Sequence, residues 1–201
     1  MNKLLRSLSY IFHPLFMPLL GVAFYYYITP HFVVPEIVQA KLVSLLILTL
    51  ILPMLMFFLL NTLGKVKTIH LATTKERIYP LALNCIIMLL VIKRIITPTS
   101  AIALYYFFVG ILISNMACLI LALFKFKASI HMIGISGLFM FFVALGVMFA
   151  INLTGLLAFM ALAIGAVATS RLHLSAHSNK ELIVGFFVGL IPQLILVNYW
   201  F

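Results

Sequence analysis

The chain alternates long apolar runs with short polar segments. The runs cover about residues 9–28, 42–61, 79–97, 101–124, 131–151, 154–171 and 182–200. Each is close to the roughly 20 apolar residues that an α-helix needs to cross the hydrocarbon core of a bilayer. None shows the alternating polarity of a membrane β-strand, and only helices and closed barrels satisfy their backbone hydrogen bonds in lipid. The pattern predicts an all-α, polytopic transmembrane helix bundle of six or seven spans, with seven as the preferred count.

Composition supports this class. Of the 201 residues, 66% belong to the set AVILMFWYC and only 8% are charged, whereas about a quarter of the residues are charged in an ordinary soluble domain. The longest polar stretch, about residues 64–77, is far too short to form a soluble domain with its own core. We therefore expect a single membrane-embedded domain over residues 1–201.

The basic residues are distributed unevenly. With seven spans, alternate loops lie on the same side as the N-terminus, and that side has most of the Lys and Arg residues: Lys3, Arg6, Lys65, Lys67, Lys75, Arg77, Lys125, Lys127, Arg171 and Lys180. The other side has Lys41, Lys93 and Arg94. The positive-inside rule predicts that the richer side is cytoplasmic. The expected location is a multi-pass position in a bacterial inner (cytoplasmic) membrane, with the first run kept as an uncleaved span because no small-x-small cleavage site follows it.

The net charge and the small number of acidic residues limit the ligands and metal sites expected for this chain. The formal charge is +10, but the cations stand in short clusters between apolar runs, which favours lipid headgroups or phosphate-bearing ligands over nucleic acid. Asp is absent, and the only acidic residues are Glu36, Glu76 and Glu181. Carboxylate sites for Mg²⁺, Mn²⁺ or Ca²⁺ therefore have almost no ligands. Cys85 and Cys118 lie inside apolar runs and are interpreted as core residues. We expect no metal and no cofactor.

Three loops on the predicted basic side hold nearly all the residues capable of acid, base or anion-binding chemistry. They are Lys75–Pro80, Lys127–His131 and Ser170–Glu181. Ionisable groups at membrane depth are costly and point to function, and Arg and Lys are the usual ligands of phosphate. His177 and Glu181 are four residues apart, so in a helix the carboxylate can accept the proton of one ring nitrogen while the other nitrogen faces a substrate.

Two other interpretations of these histidines remain open. The His177 and Glu181 side chains are compatible with an ordinary solvated surface pair. His131, His173 and His177 could also bind zinc, since residues 173 and 177 would share a helical face, although the chain has no HExxH motif.

The same residues resemble a known family. The third segment contains Ser170-Arg171, His177 and Glu181, with five residues between Arg171 and His177 and three between His177 and Glu181. This spacing resembles the third motif, S-R-x(5)-H-x(3)-D, of the type-2 phosphatidic acid phosphatase superfamily, with Glu in place of Asp. Ser129-Ile130-His131 resembles the second motif, P-S-G-H, with Ala128 and Ile130 in place of Pro and Gly.

The first motif, K-x(6)-R-P, is matched only at its end. Two residues separate Arg77 from Pro80, and His70 stands at the Lys position, with Lys75 or Lys67 as substitutes. The resemblance covers about residues 65–190. Six-span members of the family hold the first two motifs in one loop, whereas here two spans separate them, so the resemblance is to a divergent membrane branch.

The resemblance implies a metal-independent phosphatase that hydrolyses a lipid phosphate or diphosphate, of the phosphatidic acid, phosphatidylglycerol phosphate or undecaprenyl diphosphate class. His177 would attack phosphorus to form a phosphohistidine, Glu181 would orient its ring, and His131 would protonate the leaving oxygen and later activate water. The implied phosphate ligands are Arg171, Arg77, Lys75, Ser129 and Ser170. The implied partners are the lipid phosphate and membrane lipids, with no cofactor and no nucleic acid.

Four alternatives stay open. A catalytically silent homologue is suggested by the weakened first motif. A small transporter of phosphate-bearing ligands would need polar residues near the midplane, where Asn84, Asn115 and Gln193 are few. A vanadate-binding haloperoxidase shares the family's site, but those relatives are soluble. The fourth alternative is a structural membrane subunit.

Prolines and glycines within the runs predict packing features. Pro14, Pro18, Pro53 and Pro192 would kink their spans. Gly185 and Gly189 form a GxxxG pattern in the last span, which predicts a face that packs closely against another helix.

Overall fold

The computed structural model describes residues 2–67, 73–99 and 101–200, with side chains from residue 7 onward in those ranges. Within these ranges the chain is helical and has no β-strand. The helices are α1 (Asn2–Ile11), α2 (Met17–Ile28), α3 (Pro35–Leu46), α4 (Leu52–Thr62), α5 (Thr74–Arg94), α6 (Ile102–Leu123), α7 (Ile130–Met148), α8 (Thr154–His173) and α9 (Asn179–Leu196). The all-α prediction is confirmed.

Six helical segments are long and apolar enough to cross a membrane: Ser7–Ile28, Pro35–Thr62, Ile102–Leu123, Ile130–Met148, Thr154–His173 and Asn179–Tyr199. The remaining predicted run corresponds to α5, which is 21 residues long. Charged residues occupy both ends of α5, while its residues 78–92 are uncharged. Each of the seven apolar runs therefore matches a helical segment, and the chain is a multi-pass membrane protein.

The effect of each proline on its helix depends on its position in that helix. The chain leaves α1 before Pro14, and a short 3₁₀ turn, Pro14–Phe16, leads into α2. A π-helical turn, Ile47–Ile51, joins α3 to α4 just before Pro53. Pro18 lies in the first turn of α2, where its missing N–H breaks no helical bond, and α9 continues through Pro192. Only the first two sites interrupt regular α-helix.

Close packing of α7 against α9 forms the centre of the bundle. A Cβ atom on Gly189 would collide with the carbonyl oxygen of Ile133 and with Ser136 Oγ. A Cβ atom on Gly185 would lie 2.8 Å from the carbonyl oxygen of Ser129. The predicted close-packing face of the GxxxG pattern is confirmed, and it brings α9 against the residues that precede α7.

Buried polar side chains tie α6, α7 and α9 together. Ser136 Oγ donates to the carbonyl oxygen of Phe186 at 2.8 Å, and Ser114 Oγ donates to that of Val188 at 2.9 Å. Gln193 Nε2 donates to the carbonyl oxygen of Phe107 at 3.0 Å. Gln193, which the transporter alternative needed for a polar pathway, thus serves helix packing.

Candidate functional site

The three sequence segments singled out for chemistry meet at one end of the bundle, where α5, α7 and α9 begin and α8 ends. Arg77 Nη1, from the first segment, donates to the carbonyl oxygen of Ala128 in the second at 2.7 Å. The backbone N–H of Ser129 donates to the carbonyl oxygen of Glu181 in the third at 3.1 Å. The expectation that these segments share one side of the molecule is confirmed. We call the group formed by Arg77, Lys127, Ser129, His131, Arg171, His177 and Glu181 the loop-end cluster.

Glu181 links the start of α9 to the His177 ring. Ser178 caps α9, with its Oγ accepting from the Glu181 N–H at 3.4 Å, while Glu181 Oε2 accepts from the Ser178 N–H at 3.1 Å. The same Oε2 lies 2.8 Å from Nδ1 of His177. An ionised carboxylate can only accept hydrogen bonds, so Nδ1 carries the proton and Nε2 keeps its lone pair. His177 precedes the cap and is not helical, so the capping turn, and not a shared helix face, makes this contact.

The His177 side chain is 2% exposed. Burial lowers the pKa of His177 to about 4. The hydrogen bond to Glu181 opposes this shift, while the positive charges of Arg77 and Lys127 add to it. The ring is therefore neutral at physiological pH. Burial also lowers the pKa of the Lys127 ammonium, and Arg77 acts in the same direction.

His131, the first-turn histidine of α7, is held by the N-terminal helix. Its Nε2 lies 3.2 Å from the carbonyl oxygen of Ser9. Since a carbonyl oxygen only accepts, Nε2 is the protonated nitrogen. The His13 ring packs edge-on against His131, with ring centroids 5.4 Å apart. Sequence analysis had given neither Ser9 nor His13 a role. The only local signal was Pro14, which ends α1 beside them.

Arg171 is buried at the end of α8, with 8% of its surface exposed. Its Nη1 donates to Ser9 Oγ at 3.4 Å, and the same Oγ lies 2.9 Å from Ser170 Oγ. The Arg171 Nε is buried and has no hydrogen-bond partner among the described residues, and the same is true of Ser129 Oγ. Two buried groups with unused hydrogen-bonding capacity therefore belong to the loop-end cluster.

Two sequence candidates lie outside the cluster. Lys75 is exposed on the first turn of α5, and no hydrogen bond or ion pair joins it to the cluster within the described residues. His173 is exposed at the end of α8. His70, at the Lys position of the first motif, lies outside the described residues. The structure instead adds Lys127, which sequence analysis placed in the second segment without giving it a role.

An apolar groove of about 310 Å³ lies between α7, α8 and α9. It adjoins the cluster, because Met132 follows His131, Leu172 follows Arg171 and Asn179 is two residues beyond His177. Its other lining residues are Ala168, Leu182, Ile183, Phe186 and Phe187. Ile183 and Phe187 are 57% and 49% exposed on helices that are apolar enough to span a membrane, so the groove opens toward lipid.

The described part of the chain has no set of side chains that could coordinate a metal ion. No group of three His, Cys, Asp or Glu side chains stands close enough there to hold an ion. The zinc interpretation of His131, His173 and His177 is therefore not supported.

Comparisons with protein-family models, curated proteins and solved structures find no match to this chain.

Proposed function

We propose that the protein is an integral-membrane, metal-independent phosphatase that hydrolyses a lipid phosphate or diphosphate through a phosphohistidine on His177. The observation that carries the proposal is the His177 and Glu181 pair, at 2.8 Å, inside a cluster of cations at the end of a membrane bundle. Glu181 holds Nδ1, and the neutral ring keeps the Nε2 lone pair as a nucleophile.

The charge balance of the cluster suits an anionic substrate. The cluster contains three cationic side chains, those of Arg77, Lys127 and Arg171, and one carboxylate, that of Glu181. The carboxylate already accepts hydrogen bonds from His177 and Ser178. An unsatisfied buried polar group costs about 1–3 kcal/mol. A bound phosphoryl oxygen would remove that cost for Arg171 Nε and Ser129 Oγ, which have no partner among the described residues.

The proposed reaction has two stages. In the first stage His177 Nε2 forms a bond to phosphorus, the bond from phosphorus to the lipid oxygen breaks, and protonated His131 gives its Nδ1 proton to that oxygen. In the second stage a water molecule attacks phosphorus, the P–N bond breaks, and Nδ1 of His131 takes the proton of the water. The arginines stabilise the charge on the equatorial oxygens as it spreads in the transition state.

The surroundings favour a lipid as the substrate. The apolar groove runs from the cluster along helices that face the hydrocarbon, so it can take the proximal part of an acyl or prenyl chain while the headgroup stays at the cluster. The resemblance of Ser170–Glu181 and Ser129–His131 to phosphatidic acid phosphatase motifs supports the same class. Phosphatidic acid, phosphatidylglycerol phosphate and undecaprenyl diphosphate all meet this description.

One observation favours a second candidate, a catalytically silent homologue that binds phosphate-bearing lipids. Lys75, a substitute for the first-motif lysine, is exposed, and no hydrogen bond or ion pair joins it to the cluster within the described residues. Such a protein would bind vanadate or a lipid phosphate without releasing phosphate.

Trapping the intermediate tests the proposal. Purified protein is mixed with a ³²P-labelled lipid phosphate and quenched in base, because phosphohistidine is stable in base and labile in acid. We expect an acid-labile label on the wild type and on His173→Ala, and none on His177→Ala. Label that persists in His177→Ala, or its absence from the wild type with every lipid phosphate offered, would contradict the proposal.

A further inference from the structure

We propose that Ser9, in the N-terminal helix, is a positioning residue for two members of the site, with its carbonyl oxygen fixing the proton position on His131 and its hydroxyl holding Arg171. This inference rests on the proposed function for its catalytic consequence. Its geometric part stands on the contacts alone. No motif includes Ser9, which lies 122 residues before His131 and 162 before Arg171.

The break after α1 makes the Ser9 carbonyl available. The N–H of Phe12 still bonds to Leu8 at 3.0 Å, but the N–H of His13 turns to the carbonyl oxygen of Tyr10 at 3.3 Å. In a continued helix that N–H would bond to Ser9, four residues earlier. Pro14 has no N–H to offer and begins the 3₁₀ turn. The carbonyl oxygen of Ser9 thus loses its helical partner, and Nε2 of His131 donates to it from α7.

This contact decides which nitrogen of His131 exchanges protons. With Nε2–H held by a carbonyl oxygen, Nδ1 is the remaining nitrogen that can give a proton to the leaving oxygen or take one from water. The carbonyl accepts the Nε2–H equally in the neutral ring and in the imidazolium. The ring therefore passes through both protonation states of the cycle without turning, which is the kind of preorganisation that lowers a barrier.

The Ser9 hydroxyl acts on the other side of the site. Ser9 is 7% exposed, and its Oγ accepts from Arg171 Nη1 at 3.4 Å. A guanidinium only donates, so Ser9 Oγ is the acceptor in that bond, and Ser9 Oγ also shares a hydrogen bond with Ser170 Oγ, 2.9 Å away. Ser9 thereby fixes the end of the Arg171 side chain while leaving Nε unpaired, as a phosphate ligand must be.

Kinetics of two variants test the hydroxyl. Ser9→Ala removes it, and Ser9→Thr keeps it. A hydrogen bond to a charged group is lost in Ser9→Ala, so we expect kcat/KM for the lipid phosphate to fall about tenfold, chiefly through kcat. Ser9→Thr should stay within about threefold of the wild type by the same reasoning. If Ser9→Ala lowers the melting temperature in detergent but leaves kcat/KM unchanged, Ser9 is only structural and the proposal is overturned.

Nitrogen-15 NMR of histidine-labelled protein tests the carbonyl contact without requiring activity. The His131 signals are assigned by their loss in His131→Gln, and ring ¹⁵N shifts distinguish a protonated from a bare nitrogen. We expect Nε2 to be protonated throughout a pH titration, so that Nδ1 is the nitrogen that gains or loses the proton. A protonated Nδ1 with a bare Nε2 would overturn the proposal whether or not the protein is active. Absence of phosphate release from the wild type, with Nε2 protonated, would remove the phosphatase function and retain the Ser9 contact.

Discussion

Glu181 Oε2 accepts a hydrogen bond from Nδ1 of His177 at 2.8 Å while it also accepts from the backbone N–H of Ser178. One carboxylate oxygen thus caps α9 and orients the proposed nucleophile. The two roles can be separated by mutation, because Gln can cap a helix but carries no charge.

Substitution of Glu181 should separate stability from activity. Glu181→Gln keeps the capping geometry, so we expect little change in unfolding free energy. Its kcat should nevertheless fall about a hundredfold, because a neutral amide can accept from Nδ1–H but no longer stabilises the positive charge that develops on the ring as Nε2 attacks phosphorus. Glu181→Ala should lose activity and also about 1 kcal/mol of stability with the cap. Phosphate release and thermal unfolding in detergent measure the two effects; equal stability losses in both variants would contradict the separation.

Arg171 should not tolerate replacement by lysine. The guanidinium bonds to Ser9 through Nη1 and keeps Nε for a ligand, and an ammonium group cannot make both contacts with that planar geometry. We expect Arg171→Lys to lower kcat/KM by about thirtyfold, or roughly 2 kcal/mol of transition-state stabilisation.

The matched control is Arg94→Lys, an exposed arginine at the far end of α5. It should behave as the wild type in the same assay. Full activity of Arg171→Lys would show that Arg171 does not bind the substrate.

The packing of α9 on α7 predicts contrasting effects of alanine at two glycines. Gly189→Ala forces a Cβ against the carbonyl oxygen of Ile133, so it should destabilise the bundle by about 1–3 kcal/mol. Gly165, in α8, has open space around its Cβ position. Gly165→Ala should therefore be neutral or stabilise the helix by up to about 1 kcal/mol. Thermal unfolding of both variants gives the comparison, and similar melting temperatures would contradict the described packing.

Acidification should destabilise the fold through His177. Its pKa of about 4 in the folded protein lies below the ordinary value of 6.5, so between these values the unfolded chain binds a proton that the folded protein does not. Stability from this group is complete above pH 6.5 and is lost as the pH falls toward 4. The loss at pH 5 is at most about 2 kcal/mol.

Unfolding in denaturant at pH 7 and pH 5 checks this effect. The difference in unfolding free energy between pH 7 and pH 5 should be smaller in His177→Gln than in the wild type, since the variant has no imidazole to protonate. An equal pH dependence would show that His177 titrates normally, with Arg77, Lys127 and Glu181 cancelling the effect of burial.

The membrane-spanning helices could be predicted from the sequence, because a helix that crosses the lipid bilayer needs a run of about 20 apolar residues. It also placed Arg77, Ser129, His131, Arg171, His177 and Glu181 on one side through the order of the spans. The GxxxG pattern of Gly185 and Gly189 correctly predicted a close contact, since only a glycine leaves room for a neighbouring backbone there.

Contacts across long sequence separations could not be predicted in this way. Ser9 and His13 reach His131 through the tertiary fold, and no periodic pattern records such a contact. The spacing of His177 and Glu181 predicted the pair on the condition of a shared helix, whereas the capping turn makes the contact, because His177 precedes the helix. The resemblance implies Lys75 as a phosphate ligand because it lies near a motif, whereas α5 leaves it exposed and buries Arg77.

Phosphate release from a panel of lipid phosphates, measured in detergent with EDTA present, tests the central claim most directly. The panel includes phosphatidic acid, phosphatidylglycerol phosphate and undecaprenyl diphosphate, and the proteins are the wild type, His177→Ala and the exposed-histidine control His173→Ala. We predict that at least one lipid releases phosphate with the wild type and with His173→Ala, and that His177→Ala releases none. Undiminished release by His177→Ala, or release by the wild type that EDTA abolishes, would contradict a metal-independent phosphohistidine mechanism.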